Sequence, residues 1–189
     1  MTEPAPKPPV YEDLFTIPDN TTGEIINGEL IVTPRPSRNH AIVASRLGYE
    51  YEIGPPYDLG RGGGPGGWVI LDETEISLGE NIVVPDLAGW KKARFPVKEP
   101  HDWISVAPDW VCEILSPVTA QIDRTEKMPL YARHRVSYAW LIDPIFKTLE
   151  LFRFEPGRWI VLGVYAKAAK VSAEPFSEIE LDLGLLWIE

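Results

Sequence analysis

An acidic residue inside an apolar strand demands a reason. Glu113 stands in Asp109-Trp-Val-Cys-Glu-Ile-Leu115. Strand alternation puts Val111, Glu113 and Leu115 on one face and Cys112 and Ile114 on the other. An ionised carboxylate among such neighbours is costly unless it is paired or binds a cation. A salt bridge to Arg124 would satisfy it structurally, and a metal ion would satisfy it functionally. Asp86 ends a second apolar strand, in VVPDLAGW. Neighbouring strands lie about 4.8 Å apart, so an adjacent strand would bring Asp86 beside Glu113. A further Pro-Asp pair places Asp109 roughly 13 Å from Glu113 along the same strand, too far to share one ion. Asp109 therefore reads as structural.

Two carboxylates, with the Ile114 carbonyl as a further donor, suit Mg2+ or Mn2+ rather than zinc. Such an ion polarises a phosphoryl oxygen and lowers the pKa of a bound water. The charge that develops on a pentacovalent phosphate needs another cation, and Lys127 can supply it. The expectation is one phosphodiester-cleaving site built from Asp86, Glu113 and Lys127. Tyr131, four residues after Lys127, shares its helix face and either lines the site or packs. Without the two carboxylates, Lys127 would read as an exposed helix lysine.

Several elements must position these groups. Pro108 to Pro144 reads as strand, turn, short helix and strand, with Ser116-Pro117 ending the first strand. Proline is tolerated only in the first turn of a helix, so the helix starts near Thr125 or kinks at Pro129. Upstream, GEIINGELIVT forms a hairpin across Asn27-Gly28, a pair that accepts positive φ. Ser37 can cap a helix running to about Glu52, with Ile42, Val43, Leu47 and Tyr51 on its buried face and His40 near its start. WVILDETEISL and NIVVPDLAGW read as strands joined by Gly79-Glu80, and TLELFRF with RWIVLGVY as a hairpin across Glu155-Pro156-Gly157. The order predicts an α/β (α+β) domain with a central mixed sheet over residues 11–189, after a disordered, Pro-rich segment at 1–10.

Composition narrows the choices. The chain has 189 residues, 44% of them hydrophobic, and one cysteine. That allows a core and excludes an internal disulfide, which makes a cytoplasmic protein the default. No apolar run approaches the roughly 20 residues of a membrane span, and the N-terminus lacks a signal-peptide pattern. CxxC and HExxH zinc patterns are absent. In GRGGGPGG, Gly62, Gly64 and Gly67 match GxGxxG, but no strand leads in, Pro65 interrupts, and the following WVIL reads as strand. A flexible loop is the better reading. The net charge of −10 argues against broad attraction to nucleic acid. It is compatible with a metal site, whose ions offset acidic ligands. The densest basic run holds Lys91, Lys92 and Arg94, candidate phosphate contacts.

VVPDLAGW, PDWVCEILSP and DRTEKMPLYARHRVSYAWLIDP together resemble the PD-(D/E)xK nuclease superfamily. More narrowly, with GEIINGEL and RPSRNH, they are similar to a widespread bacterial group of restriction-endonuclease-like proteins. The resemblance covers most of residues 11–155. It implies a restriction endonuclease-like core, a mixed sheet flanked by helices, and Mg2+-dependent hydrolysis of DNA. Asp86 would be the PD aspartate and Glu113 the (D/E). Leu115 stands where the pattern has lysine, and Lys127 matches the helix position that similar proteins use. Glu24 and His40 match recurring positions and enter as accessory residues. A homodimer would suit cutting of both strands. The alternative is a nuclease-fold module, weak or inactive in catalysis, that binds nucleic acid or a protein partner. A two-carboxylate glycosidase would leave Lys127 without a role.

Overall fold

The computed structural model describes residues 7–50, 53–58, 60 and 64–188. Most of the N-terminal segment, the expected helix end at Tyr51–Glu52 and Arg61–Gly63 of the glycine-rich loop lie outside them.

Two sheets carry the fold. The smaller has strand order β2-β1-β5-β4, from β1 (Thr21–Ile26), β2 (Glu29–Pro34), β4 (Ile76–Leu78) and β5 (Asn81–Val83). Its hairpin turns at Asn27 and Gly28, both at positive φ (52° and 81°), as a two-residue turn between twisted strands requires. The larger sheet has order β10-β9-β8-β7-β6-β3. It comprises β3 (Trp68–Asp72), β6 (Leu87–Lys91), β7 (Trp110–Ile114), β8 (Tyr138–Asp143), β9 (Thr148–Glu155) and β10 (Arg158–Ala166). All its pairs are antiparallel except β7 with β8. Parallel neighbours need a crossover. Here it runs through α2 (Ala120–Ile122), a π-helical turn at Asp123–Lys127 and α3 (Met128–Arg133). Two short strands, β11 (Lys170–Ser172) and β12 (Glu180–Asp182), pair near the C-terminus.

Strand β7 divides the core in two. Trp110, Cys112 and Ile114 face one cluster, with Val43 and Leu47 from the first helical segment and Phe176, Leu181 and Leu186 from the C-terminal region. Val111 and Leu115 face a second cluster, with Met128, Leu130 and Tyr131 from α3 and Ile26, Ile76 and Val83 from the small sheet. This alternation is the one strand geometry dictates. It sends Glu113 toward α3.

Four elements differ from the sequence expectation. NIVVPDLAGW is two strands, β5 in the small sheet and β6 in the large one, with Asp86 between them and not at the end of one strand. WVILDETEISL is two strands in two sheets, because Glu73 takes a left-handed φ of 43° and breaks the run. The first helix, α1 (Arg38–Ser45), gives way to a π-helical turn at Arg46–Glu50. Gly48 lies in that turn, where an added Cβ would stand 2.6 Å from Leu87 Cδ2. The second helical segment starts at Ala120, ahead of Thr125, and Pro129 lies within it, directly after the π-helical turn that ends at Lys127.

Candidate active site

β6 lies against β7 with Leu87 opposite Cys112. That register sets Asp86, just before β6, at the level of Glu113 and Ile114. Asp86 Oδ2 accepts the Ile114 N–H at 2.6 Å, and Oδ1 lies 2.7 Å from His40 Nε2. His40 is held on α1, whose N-cap Ser37 accepts the His40 N–H through Oγ. His40 is buried, and its Nδ1 has no hydrogen-bond partner among the described residues. Ile114 thus meets Asp86 through its backbone N–H.

The acids meet at Lys127. Its Nζ lies 2.9 Å from Glu113 Oε1, 3.1 Å from Glu24 Oε1 and 3.9 Å from Asp123 Oδ1. The Lys127 side chain is only 3% exposed. The π-helical turn sets this geometry. The Met128 N–H donates to the Asp123 carbonyl, five residues back, so the turn is wider than an α-helical one. Asp123 and Lys127, at its two ends, both point into the cleft. Glu24 comes from β1 and is fixed by the Val84 N–H, 2.7 Å from its Oε1. Tyr131, one helical turn after Lys127, donates a short hydrogen bond to Glu113 Oε1. Arg124, the structural alternative as partner for Glu113, is paired with Glu150 instead. Glu24, His40, Asp86, Glu113, Asp123 and Lys127 all line one cleft of about 200 Å³.

Burial dominates the electrostatics. It pushes the Glu113 carboxyl well above the usual carboxylate range, against the pull of Lys127. It also raises Asp123 from 3.8 to about 6. Burial works to discharge Lys127, but Glu113 and Glu24 outweigh it and hold the ammonium well above the ordinary lysine value. Desolvation, then the Glu113 charge, keeps the Tyr131 phenol protonated. The result is a persistent cation beside two carboxyls, Glu113 and Asp123, that bind protons more readily than free ones.

The donor chemistry fits a hard divalent ion. The Tyr131 hydrogen bond and the closest Lys127 contact both fall on Glu113 Oε1, and Oε2 carries no hydrogen bond among the described residues. Among those residues no three His, Cys, Asp or Glu side chains form a ready cage. Mg2+ does not need one: it binds through one or two carboxylates and keeps waters and substrate phosphates as its other ligands.

The basic loop is not part of this arrangement. Lys91 lies at the far end of β6, roughly 16 Å from Asp86 at strand rise. Lys92 Nζ donates to the Asp58 carbonyl, and Arg94 pairs with Asp109 at 2.6 Å. Asp109 also accepts the Lys91 N–H. These groups do not line the cleft. Sequence reasoning missed Asp123, which is 4% exposed. Its only signal was a position four residues before Lys127, one helical turn away.

A mixed sheet whose single parallel pair is bridged by a helical crossover, with acids and a buried lysine at its rim, has the restriction endonuclease-like fold. The chain belongs to the Uma2 family, described as "Putative restriction endonuclease", whose family model matches residues 10–184. It is also similar to a crystal structure at 1.96 Å resolution of a "putative nuclease belonging to DUF820" from Anabaena variabilis. The two are 25% identical, with a TM-score of 0.75 over 95% of this chain and 98% of that one. No curated protein matches the chain. Among the described residues, no helix is long and apolar enough to cross a membrane.

Proposed function

We propose that the chain is a Mg2+- or Mn2+-dependent endonuclease that hydrolyses DNA phosphodiester bonds. The observation that carries this reading is Lys127 Nζ, 2.9 Å from Glu113 and 3.1 Å from Glu24, in a cleft that Asp86 also lines. Asp86 and Glu113 are the ligands for the ion, Glu113 through its free Oε2. The ion supplies Lewis-acid polarisation of a phosphoryl oxygen.

The chain's own residues do the rest. Lys127 contributes a positive charge where the phosphate gains negative charge. It remains an ammonium because Glu113 and Glu24 stabilise it. Glu24 fixes that ammonium between the Val84 backbone and Glu113. Tyr131 orients Glu113 through its hydroxyl. His40 and the Ile114 N–H hold the Asp86 carboxylate from two sides. The two-carboxylate glycosidase mechanism assigns no role to Lys127.

Supercoiled plasmid incubated with Mg2+, Mn2+ or EDTA tests the reaction. The wild type should nick or linearise it only with a divalent ion. Asp86→Ala and Lys127→Ala should each lose at least about a hundredfold in rate, the scale of one electrostatic contact to a transition state. Cutting that survives both substitutions would place the chemistry elsewhere. Absence of cutting under every divalent ion would leave a non-catalytic module on a nuclease scaffold.

A further inference from the structure

A second groove lies on the outward side of α3. The helix turns Lys127 and Tyr131 inward to the acids, and Pro129, Ala132 and Arg133 outward. Opposite stands the tip of the β9–β10 hairpin, with Phe154, Pro156, Gly157, Arg158 and Trp159. Arg135 closes one end. The space enclosed is about 740 Å³.

Its chemistry differs from the rest of this acidic chain. Three guanidinium groups rim it, and all three residues are exposed. Arg133 donates to the Asn27 side chain at 2.8 Å. Neither Arg133 nor Arg135 has a carboxylate partner among the described residues. Arg158 is 71% exposed and lies 3.6 Å from Glu155, a loose contact that leaves most of its donors free. Arg135 follows the end of α3 with a left-handed φ of 59°, where glycine sits more easily. The floor is aromatic. Trp159 is fixed by its Nε1, which donates to the Met128 carbonyl at 2.9 Å, and by Phe154, 5.8 Å away and edge-on.

From this we infer that the groove between α3 and the β9–β10 tip binds a single nucleic-acid strand, with phosphates on Arg133, Arg135 and Arg158 and a base stacked on Trp159 or Phe154. Flat rings in a cationic groove are the combination that single strands use. On a chain of net charge −10, such a patch is where a polyanion meets least repulsion. The choice of nucleic acid as ligand rests on the nuclease reading. Met128, whose carbonyl anchors Trp159, directly follows Lys127 in the chain, so groove and cleft share one short element.

Binding is measured without cutting, in EDTA, by fluorescence anisotropy of an end-labelled oligothymidylate. The variants are Arg133→Gln/Arg135→Gln/Arg158→Gln, all at exposed positions, and Phe154→Leu, with thermal unfolding as the fold control. The triple variant should bind at least about tenfold more weakly. Its slope of log affinity against log salt should flatten by about 2, the value for three lost phosphate contacts on a single strand. Phe154→Leu should weaken binding to oligothymidylate but not to an abasic sugar-phosphate oligomer. Wild-type affinity and slope in the triple variant would overturn the inference, as would an oligoglutamate that competes as well as the oligonucleotide. A protein that binds the strand in this way but never cuts it would refute the reaction and leave the groove standing.

Discussion

Asp123 and Glu113 show what burial does to single residues. Each carboxyl is desolvated, and each is pushed up in pKa. For Asp123 the rise is from 3.8 to about 6. Across that window the folded protein holds more protons than the unfolded chain, so stability falls as pH rises from about 4 to about 6 and stays low above it. Asp123→Asn should remove its share of the fall, at most about 3 kcal/mol at about one and a third kcal/mol per pKa unit. Urea unfolding in EDTA at both ends of the window measures this. Equal pH dependence in wild type and variant would contradict it. The sequence made Glu113 legible because an acid in an apolar strand is a local anomaly. Asp123 was not legible, because an acid in DRTEK looks like any solvated helix residue. Its burial is a tertiary fact, created by Glu24 and Asp86 arriving from other elements.

The elements explain how a lysine absent from the strand still reaches the strand's carboxylate. Leu115 occupies the place two residues after Glu113 and packs into the core. The π-helical turn at Asp123–Lys127 delivers the ammonium instead. Removing one residue from it, by deletion of Thr125, should restore α-helical winding and rotate Asp123 and Lys127 apart by about 100°. Far-UV circular dichroism should hold while divalent-dependent cleavage falls at least about a hundredfold. A deletion variant that cuts at the wild-type rate would show that the turn is dispensable. The β-hairpins, the strand–helix–strand unit and the alternation across β7 were all readable from the chain. The break at Glu73 was not, because WVILD and EISL both look like strand and nothing local says that they join different sheets. The π-helical turns were also invisible, since the same residues satisfy α-helical spacing.

At the scale of the molecule, the acidic balance and the proposed chemistry are two sides of one arrangement. Five acids line the cleft against two cations, Lys127 and Arg35, an excess of negative charge that a divalent ion would offset. Binding to the folded state alone must raise global stability. At a Mn2+ concentration about a hundredfold above the dissociation constant, the gain is about 2.7 kcal/mol. Thermal unfolding should therefore shift upward with Mn2+ in the wild type and much less in Glu113→Gln. An equal shift in both would assign the ion to another site. The basic loop at Lys91, Lys92 and Arg94 had been the expected source of phosphate contacts. Lys92 and Arg94 of that loop are engaged by Asp58 and Asp109 at the other end of the sheet, whereas Arg133 and Arg135 near Trp159 have no carboxylate partner among the described residues.

The account stands or falls on whether Asp86 and Glu113 grip the same ion. Crystals soaked in Mn2+ and measured at a wavelength where manganese scatters anomalously answer this directly. The predicted result is one strong peak about 2.0 to 2.3 Å from a carboxylate oxygen of each residue, with Lys127 still paired to Glu113 beside it. A peak elsewhere on the surface, or none at saturating Mn2+, would contradict it.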